Sequence, residues 1–587
     1  MLNEIVDNIR TNGPDVAVID KGVIYTYSEI ESFIGRQIED LCDIPSGNGR
    51  VGIYMEPGIE MVSSIHGIIM SGRSYVPLNP ELPAERLQEY TTSLDLSIVI
   101  TLPCLLDSAS RIFTQCTVLT FDKDNVPQIP IHKISVPSFA CEQEVYTLFT
   151  SGSTGEPKGV AIPLRALSNH LNWKSQTYGF GKLTRLLFKT PFNFDASVWE
   201  IFMPFYCGGT MVIAPSGTYR APDELAALIE QHNVSVLQVV PTLLREMASQ
   251  GVLSKCTSLE HLFVGGESLD YSLCLFVQKA IGTQIHNLYG PTESCIDTLS
   301  WTFEPNDNEV VYLGNPVANV NVKVVDEYGN LIVGEGIGEL WITGQSLALG
   351  YVQKSSAKPS YYGGFEGPCE SNNWQCWYRT GDWVELTKLG IVFHGRVDRQ
   401  IKLNGQRIDL QEIEKVITKL TDIEHLYVAK YRFNDHDHLA CYFVGSTVEV
   451  PLLCEMLRSR LPHYMIPTYW SVTDTLPILV SGKLDINSFE RPKLAMEYGT
   501  GSSNDNVTLT QKLLINIWSE MLNISPDKIK LTDSFFELGG TSVQLSVLRK
   551  KIKNDSGITL KMTDFFRYPN INKLSNYLDS SINMPIH

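Results

Sequence analysis

The stretch LFTSGSTGEPKG, residues 148–159, sets three glycines, four hydroxyl side chains and one lysine directly after an apolar run. A Walker-type loop needs Gly, four residues, then Gly-Lys-Ser/Thr. Counting from Gly152 puts Pro157 where the second glycine belongs and Gly159 where the hydroxyl belongs, so that motif is absent. The physics of an anion cradle remains. Gly152 and Gly155 let backbone N–H groups approach closely, Thr150, Ser151, Ser153 and Thr154 offer hydroxyl donors, and Lys158 adds a cation.

Around this loop, from about residue 20 to 395, short runs such as RVGIYM, SIVIT, TVLTF and TMVIA alternate with helical stretches such as APDELAALIEQHN. The alternation predicts a large α/β domain with parallel sheet, placed at 1–396. Beyond it, GRVDRQIKLNGQRIDLQEIEKVI reads as a hairpin and an amphipathic helix, opening a smaller α+β domain at 397–496. The Gly/Ser/Asn-rich segment at 497–508 reads as a linker. The helical spacing of LTQKLLINIWSEMLNI then opens an all-α bundle at 509–580, with Phe535, Phe536, Leu538, Leu545 and Phe565 available for its core.

A formal charge of −18 argues against nucleic acid and anionic membranes as partners, because both call for clustered Lys and Arg. The start, MLNEIVDNIR, has no apolar signal region, and no run reaches the roughly 18–20 apolar residues of a membrane span, so a cytoplasmic location is expected. The twelve cysteines are scattered without metal-site spacing and read as reduced, mostly buried thiols. His170 and His463 lack a second ligand at regular spacing and are expected to pack or lie at the surface.

The chain resembles the adenylate-forming superfamily, and within it the adenylation domains of nonribosomal peptide synthetases. Nine segments carry the resemblance in order: YTYSEI, SYVPLNP, LFTSGSTGEPKG, FNFDASVWE, NLYGPTE, GELWITGQSLALGY, YRTGDW, GRVDRQIKLNGQRIDLQEIE and SGKLD. The tail segment DSFFELGGTS is similar to the attachment motif of a peptidyl carrier protein. The resemblance implies an adenylate-forming fold, ATP, Mg²⁺ and 4′-phosphopantetheine as cofactors, and two half-reactions. An amino acid carboxylate attacks the α-phosphate of ATP, and a thiol then takes the acyl group.

By the same resemblance, Lys483 is the catalytic lysine, bridging carboxylate and phosphate oxygens as charge builds. Glu293 would hold Mg²⁺ and Thr292 would meet the α-phosphate, while Tyr289 would face the adenine and Asn287 its edge. Asp382 would accept from both ribose hydroxyls, with Arg396 beside the nucleotide and Asp398 as the hinge. The segment KLNGQR, 402–407, would lie outside the site during adenylation and inside it during thiol transfer, with Gly405 giving pantetheine a close passage. Ser542 would carry the phosphopantetheine at a helix N-terminus.

The selection positions carried across are Asp195, Ala196, Trp199, Gln238, Phe263, Gly265, Leu288, Ile296 and Asp297, closed by Lys483. Asp195 suits an α-ammonium. Apolar Phe263, Leu288 and Ile296 beside polar Gln238 and Asp297 suit a methylene stem with a polar end, and the set resembles signatures associated with glutamine. Glutamate is disfavoured on the expectation that Asp297 would repel it and that neutral Gln238 brings no compensating cation.

The rival readings are an acyl- or aryl-CoA ligase, which the tail and Asp195 disfavour, and a nucleotide-binding scaffold without turnover. The partners implied are a phosphopantetheinyl transferase and a recipient of the loaded amino acid, expected to be a separate downstream synthetase, a tailoring enzyme, or further domains outside this sequence. One departure from the family pattern is the absence of an LPxP segment in NSFERPKLAMEYG, which leaves docking of the tail domain less defined.

Overall fold

The computed structural model describes residues 1–582 except 43, 46, 48, 127–137, 153–155, 219–220, 353–360, 363–364, 367–375, 424, 434–435, 445–447, 474–475, 478–491, 495–506, 537, 541–543, 559, 561–563 and 566–567. Ser153, Thr154, Gly155, Lys483 and Ser542 therefore lie outside the described residues, as does most of the linker. Two compact units emerge. One is built from Met1–Gly152, Pro157–Pro215 and Glu224–Arg407, the other from the chain after Arg407 with short segments of the first half.

In the first unit, short strands with a single polar residue among apolar ones lie within two largely parallel sheets. Ile98–Thr101, Thr210–Ile213 and Val236–Val239 are buried at every position, which is what a strand covered on both faces requires. The larger sheet runs Asn315–Pro316, Leu299–Thr302, Gln284–Tyr289, His261–Gly265, Val236–Val239, Arg185–Phe188, Thr210–Ile213, Val16–Asp20 and Val23–Thr26. Its six strands from Gln284–Tyr289 to Val16–Asp20 are parallel, with antiparallel strands at both edges.

The other sheet centres on the parallel strands Glu144–Thr150, Ser74–Pro77, Arg50–Tyr54, Ile98–Thr101 and Thr117–Thr120. Helices Ile59–Met70 and Ala196–Cys207, buried almost throughout, lie within the same hydrophobic core as Tyr75, Tyr146 and Ile53. An antiparallel sheet follows, containing Val320–Val325, Gly336–Gly344, Trp377–Thr387 and Gly390–Arg396.

This topology places the chemistry. Open parallel sheets bind ligands beyond the carboxyl ends of their strands. The glycine loop leaves strand Glu144–Thr150, YGPTE leaves strand Gln284–Tyr289, and Gly265 ends strand His261–Gly265.

The second unit has the α+β and helical parts that the sequence predicts. Helix Leu410–Leu420 starts where the Asp409 side chain accepts from Gln411 N at 3.0 Å, and strands Leu426–Phe433, His436–Val444, Tyr469–Thr473 and Lys493–Leu494 form one sheet. Helix Leu509–Leu522 opens on a reciprocal capping box. Gln511 N donates to Thr508 Oγ1 at 3.2 Å, and Thr508 N donates to Gln511 Oε1 at 2.9 Å. Leu514, Trp518, Phe535, Leu538, Leu545, Phe565 and Leu574 form the helical core, with Phe536 only partly buried at its margin against the His463 ring.

Ten cysteines among the described residues are free and five of those are buried. The expectation of reduced thiols is corrected at Cys376, which is disulfide-bonded. Among the described residues no helix is long and apolar enough to cross a membrane.

Candidate active site

One carboxylate collects donors from two strands. Tyr289, at the end of its strand, donates its hydroxyl to Asp382 Oδ2 at 2.5 Å, and Arg396 Nη1 donates to Asp382 Oδ1 at 2.6 Å. Both oxygens of Asp382 thus face hydroxyl or N–H donors, the role a ribose diol would ask of them. Arg396 also forks onto Asp398, Nε to Oδ1 and Nη2 to Oδ2, each at 2.7 Å. Burial works against the charge on Asp398, but the Arg396 guanidinium wins and holds its carboxyl below the usual range. Asn287 donates one amide N–H to the Tyr312 carbonyl at 2.8 Å, which leaves its carbonyl oxygen and its second N–H for a ligand edge.

Glu293 is buried, and its two oxygens are shared between different partners. Tyr351 donates to Oε1 at 2.7 Å, and the Arg407 guanidinium pairs with Oε2 at 3.0 Å. Burial opposes ionisation, yet Arg407 and Tyr351 hold the Glu293 carboxyl below its ordinary value. Among the described residues no group of three or more His, Cys, Asp or Glu side chains could hold a metal ion. A single carboxylate fits a hard cation whose other ligands are phosphate oxygens and water.

Arg407 reaches Glu293 because the hairpin Gln400–Leu403 and Gln406–Asp409 is seated in this site. Its two-residue turn is Asn404–Gly405, both in the left-handed region at φ 52° and 78°, the geometry of an Asn-Gly hairpin turn. Gly405 N donates to Glu267 Oε1 at 2.6 Å, while Glu267 Oε2 accepts from Thr242 N at 3.0 Å. Ser151 Oγ donates to the Arg407 carbonyl at 3.1 Å, tying the glycine loop to the hairpin. Thr150 and Lys158 pair across antiparallel strands on either side of that loop, and the Lys158 ammonium sits 5.2 Å from the Tyr351 ring centre. Half-buried Lys402 feels both Asp382 and Asp195, and burial lowers its pKa from the ordinary value.

Register brings the expected selection positions together. Gln238 pairs with Phe263, and Gly265 with Leu288, on adjacent parallel strands. Gly265 has to be small, since a Cβ there would meet the Leu288 carbonyl at 2.9 Å. Asp195 caps helix Ala196–Cys207, accepting from Ala196 N at 2.8 Å on Oδ1 and from Thr292 Oγ1 at 2.5 Å on Oδ2. Burial raises its pKa. The Trp199 and Phe263 rings meet edge-on at 5.4 Å, and Trp199 Nε1 donates to Gln238 Oε1. Cys295 and Ile296 stand successively at φ 47° and 75°, an uncommon pair for residues with side chains. A Cβ at Gly290 would fall 2.0 Å from the Ile296 carbonyl oxygen.

Asp297 corrects the sequence reading. The argument against glutamate supposed no cation in the pocket, whereas Lys174 Nζ lies 2.8 Å from Asp297 Oδ2 with its side chain fully buried. Gln238 likewise spends its carbonyl on Trp199, which leaves its NH₂ for a substrate. His170, read as a packing or surface residue, is buried 3.7 Å from Asp297 Oδ2, and burial pushes its pKa down to about 3, so the ring is neutral. Lys174, Tyr351 and Glu267 are site residues that sequence reasoning missed, and Lys402 and Arg407 were expected there only as members of the segment 402–407, without a partner. For Lys174 a signal existed, because Leu167, Leu171, Lys174 and Tyr178 follow helical spacing on one apolar face of helix Leu164–Tyr178.

The family model of the AMP-binding enzyme matches residues 6–352, and that of the phosphopantetheine attachment site matches 512–578. Tyrocidine synthase 3 of Brevibacillus parabrevis is 30% identical over 97% of this chain. Zwittermicin A synthase ZmaJ of Bacillus cereus is 32% identical over 81% of this chain and 92% of its own. The chain spans 9% of the length of tyrocidine synthase 3 and 22% of that of the dimodular nonribosomal peptide synthase of Bacillus subtilis.

Among solved structures, a holo nonribosomal peptide synthetase protein with adenylation and PCP domains, bound to a vinylsulfonamide inhibitor, shares the fold. It has a TM-score of 0.75 and 22% identity, covering 98% of this chain and 96% of that one. A four-domain synthetase bound to AMP and glycine aligns at TM-score 0.60 and 27% identity, covering 98% of this chain and 42% of that one. The chain belongs to the AMP-binding enzyme family, as a nonribosomal peptide synthetase adenylation domain of adenylate-forming fold joined to a peptidyl carrier domain with a phosphopantetheine attachment site.

Proposed function

We propose that this chain activates L-glutamine with ATP as the aminoacyl adenylate and transfers it to the phosphopantetheine thiol of its own carrier domain. In the first half-reaction a substrate carboxylate oxygen bonds to the α-phosphorus and the bond to pyrophosphate breaks. In the second, the thiolate attacks the acyl carbon and AMP leaves. The observation that carries the reading is the Asp195 carboxylate, fixed by Ala196 N and Thr292 at a pocket walled by Trp199, Phe263 and Ile296. A negative group there favours an α-ammonium, and the apolar wall ending in Gln238 and Asp297 favours a short stem with a polar tip.

Lys483 would supply the cation at the reacting phosphorus, Asp382 would hold the ribose, and the glycine loop with Lys158 would hold phosphates. Glu293 would hold Mg²⁺, which when bound neutralises phosphate charge. Ser542 would carry the phosphopantetheine, and Asp398 would be the hinge. The segments 1–396, 397–496 and 509–580 would be the working domains, with the loaded amino acid passed to a further synthetase or tailoring enzyme.

ATP–pyrophosphate exchange across the proteinogenic amino acids tests this reading. Glutamine is expected to lead, with glutamate lower by about tenfold or more. A preference for an aromatic or aliphatic amino acid would refute the assignment of Gln238 and Asp297. Incubation with a phosphopantetheinyl transferase and coenzyme A is expected to add one phosphopantetheine, mapped by mass spectrometry to Ser542. An unmodified chain would point instead to a ligase acting on free coenzyme A.

A further inference from the structure

The cluster of expected selection positions contains an ion pair of which only Asp297 is itself such a position. Lys174 lies on helix Leu164–Tyr178, with no exposed side-chain surface. Its ammonium is 2.8 Å from Asp297 Oδ2, 3.9 Å from the Trp199 ring centre and 4.4 Å from that of Phe263. Trp199, Phe263 and Asp297 are the pocket residues themselves, so this cation belongs to the specificity wall. Among the described residues the Lys174 bond is the only hydrogen bond to the Asp297 carboxylate, and it engages Oδ2 alone. One helical turn earlier, buried His170 has no hydrogen-bond partner for either ring nitrogen among the described residues, and its Nε2 is 3.7 Å from the same Oδ2.

We propose that Lys174 is a specificity-determining residue. Paired with Asp297, it makes the pocket floor net neutral while keeping an acceptor and a donor side by side, so that the site takes a carboxamide side chain and rejects both carboxylate and ammonium ends. This deepens the glutamine reading and rests on it for the favoured side chain. The reason is electrostatic. A buried charge without a partner is costly, and whichever member of the pair is removed, the other recruits a substrate of opposite sign. A primary carboxamide carries both a donor and an acceptor and needs no net charge opposite it.

The test is ATP–pyrophosphate exchange by the full chain, reading kcat/KM for glutamine, its isostere glutamate, and ornithine, whose ammonium sits at similar reach. Asp297→Asn leaves the ammonium uncompensated and is expected to raise the glutamate-to-glutamine ratio by about tenfold or more. Lys174→Met leaves the carboxylate uncompensated and should raise the ornithine-to-glutamine ratio to a similar degree. Combining the two should return both ratios to within a few-fold of the parent.

A merely structural pair would depress all three substrates alike, and ratios unchanged within about twofold in both single variants would overturn the proposal. Should Lys174→Met fail to fold, Asp297→Asn and the double variant carry the test. A glutamate gain that disappears in the double variant supports the proposal, and no gain overturns it. If the parent prefers another amino acid while the ratios still move in opposite senses, the pair keeps its role and only the glutamine reading falls.

Discussion

ATP–pyrophosphate exchange is expected to fall by about 10²–10³ in Lys483→Ala, the loss typical when one preorganised donor to a developing charge is removed. In the proposed role the ammonium would act where substrate carboxylate and α-phosphate oxygens crowd negative charge together. Its contribution is therefore largest at the transition state, and the loss should appear in kcat more than in KM. Transfer from a chemically supplied glutaminyl adenylate to the phosphopantetheinylated carrier should proceed as in the parent, because no phosphorus is attacked in that step. Undiminished exchange would remove Lys483 from the chemistry.

Gly405→Ala is expected to fail in the opposite half-reaction. Gly405 stands at φ 78°, and a Cβ there would lie 2.5 Å from Val240 Cγ1 while the backbone N–H holds Glu267. A left-handed alanine costs roughly 1–2 kcal/mol and overpacking about 1–3 kcal/mol, which together disfavour the seated hairpin on the order of 30-fold or more. Single-turnover loading of the carrier should slow accordingly, with pyrophosphate exchange within about twofold of the parent. Equal losses in both assays would mean that the seated hairpin serves adenylation as well.

Much of this was legible in the sequence for identifiable reasons. Strands covered on both faces read as short, mostly apolar runs, Asn404–Gly405 reads as a tight hairpin turn, and Thr508 with Gln511 has the spacing of a capping box. What stayed hidden was made by pairing across long separations. Lys174 meets Asp297 across 123 residues, Arg407 meets Glu293 across 114, and Tyr289 meets Asp382 across 93. Helical spacing puts Lys174 on the apolar face of its helix, but lysine is almost never fully buried without a partner, and that partner is invisible locally. The change of sequence character near residue 395 marks the end of strand Gly390–Arg396, whereas the compact units part at Arg407, after the hairpin has seated on Glu267 and Glu293.

The consecutive left-handed residues Cys295 and Ile296 bear on any attempt to recode this enzyme. Such conformations cost on the order of 1–3 kcal/mol each and persist only where the surroundings enforce them, here with Gly290 pressed against the Ile296 carbonyl. Exchanging side chains alone would leave that kinked segment in place, and with it the direction in which residue 296 projects. A graft from a relative whose main chain runs differently would have to carry residues 290 to 297 as one block.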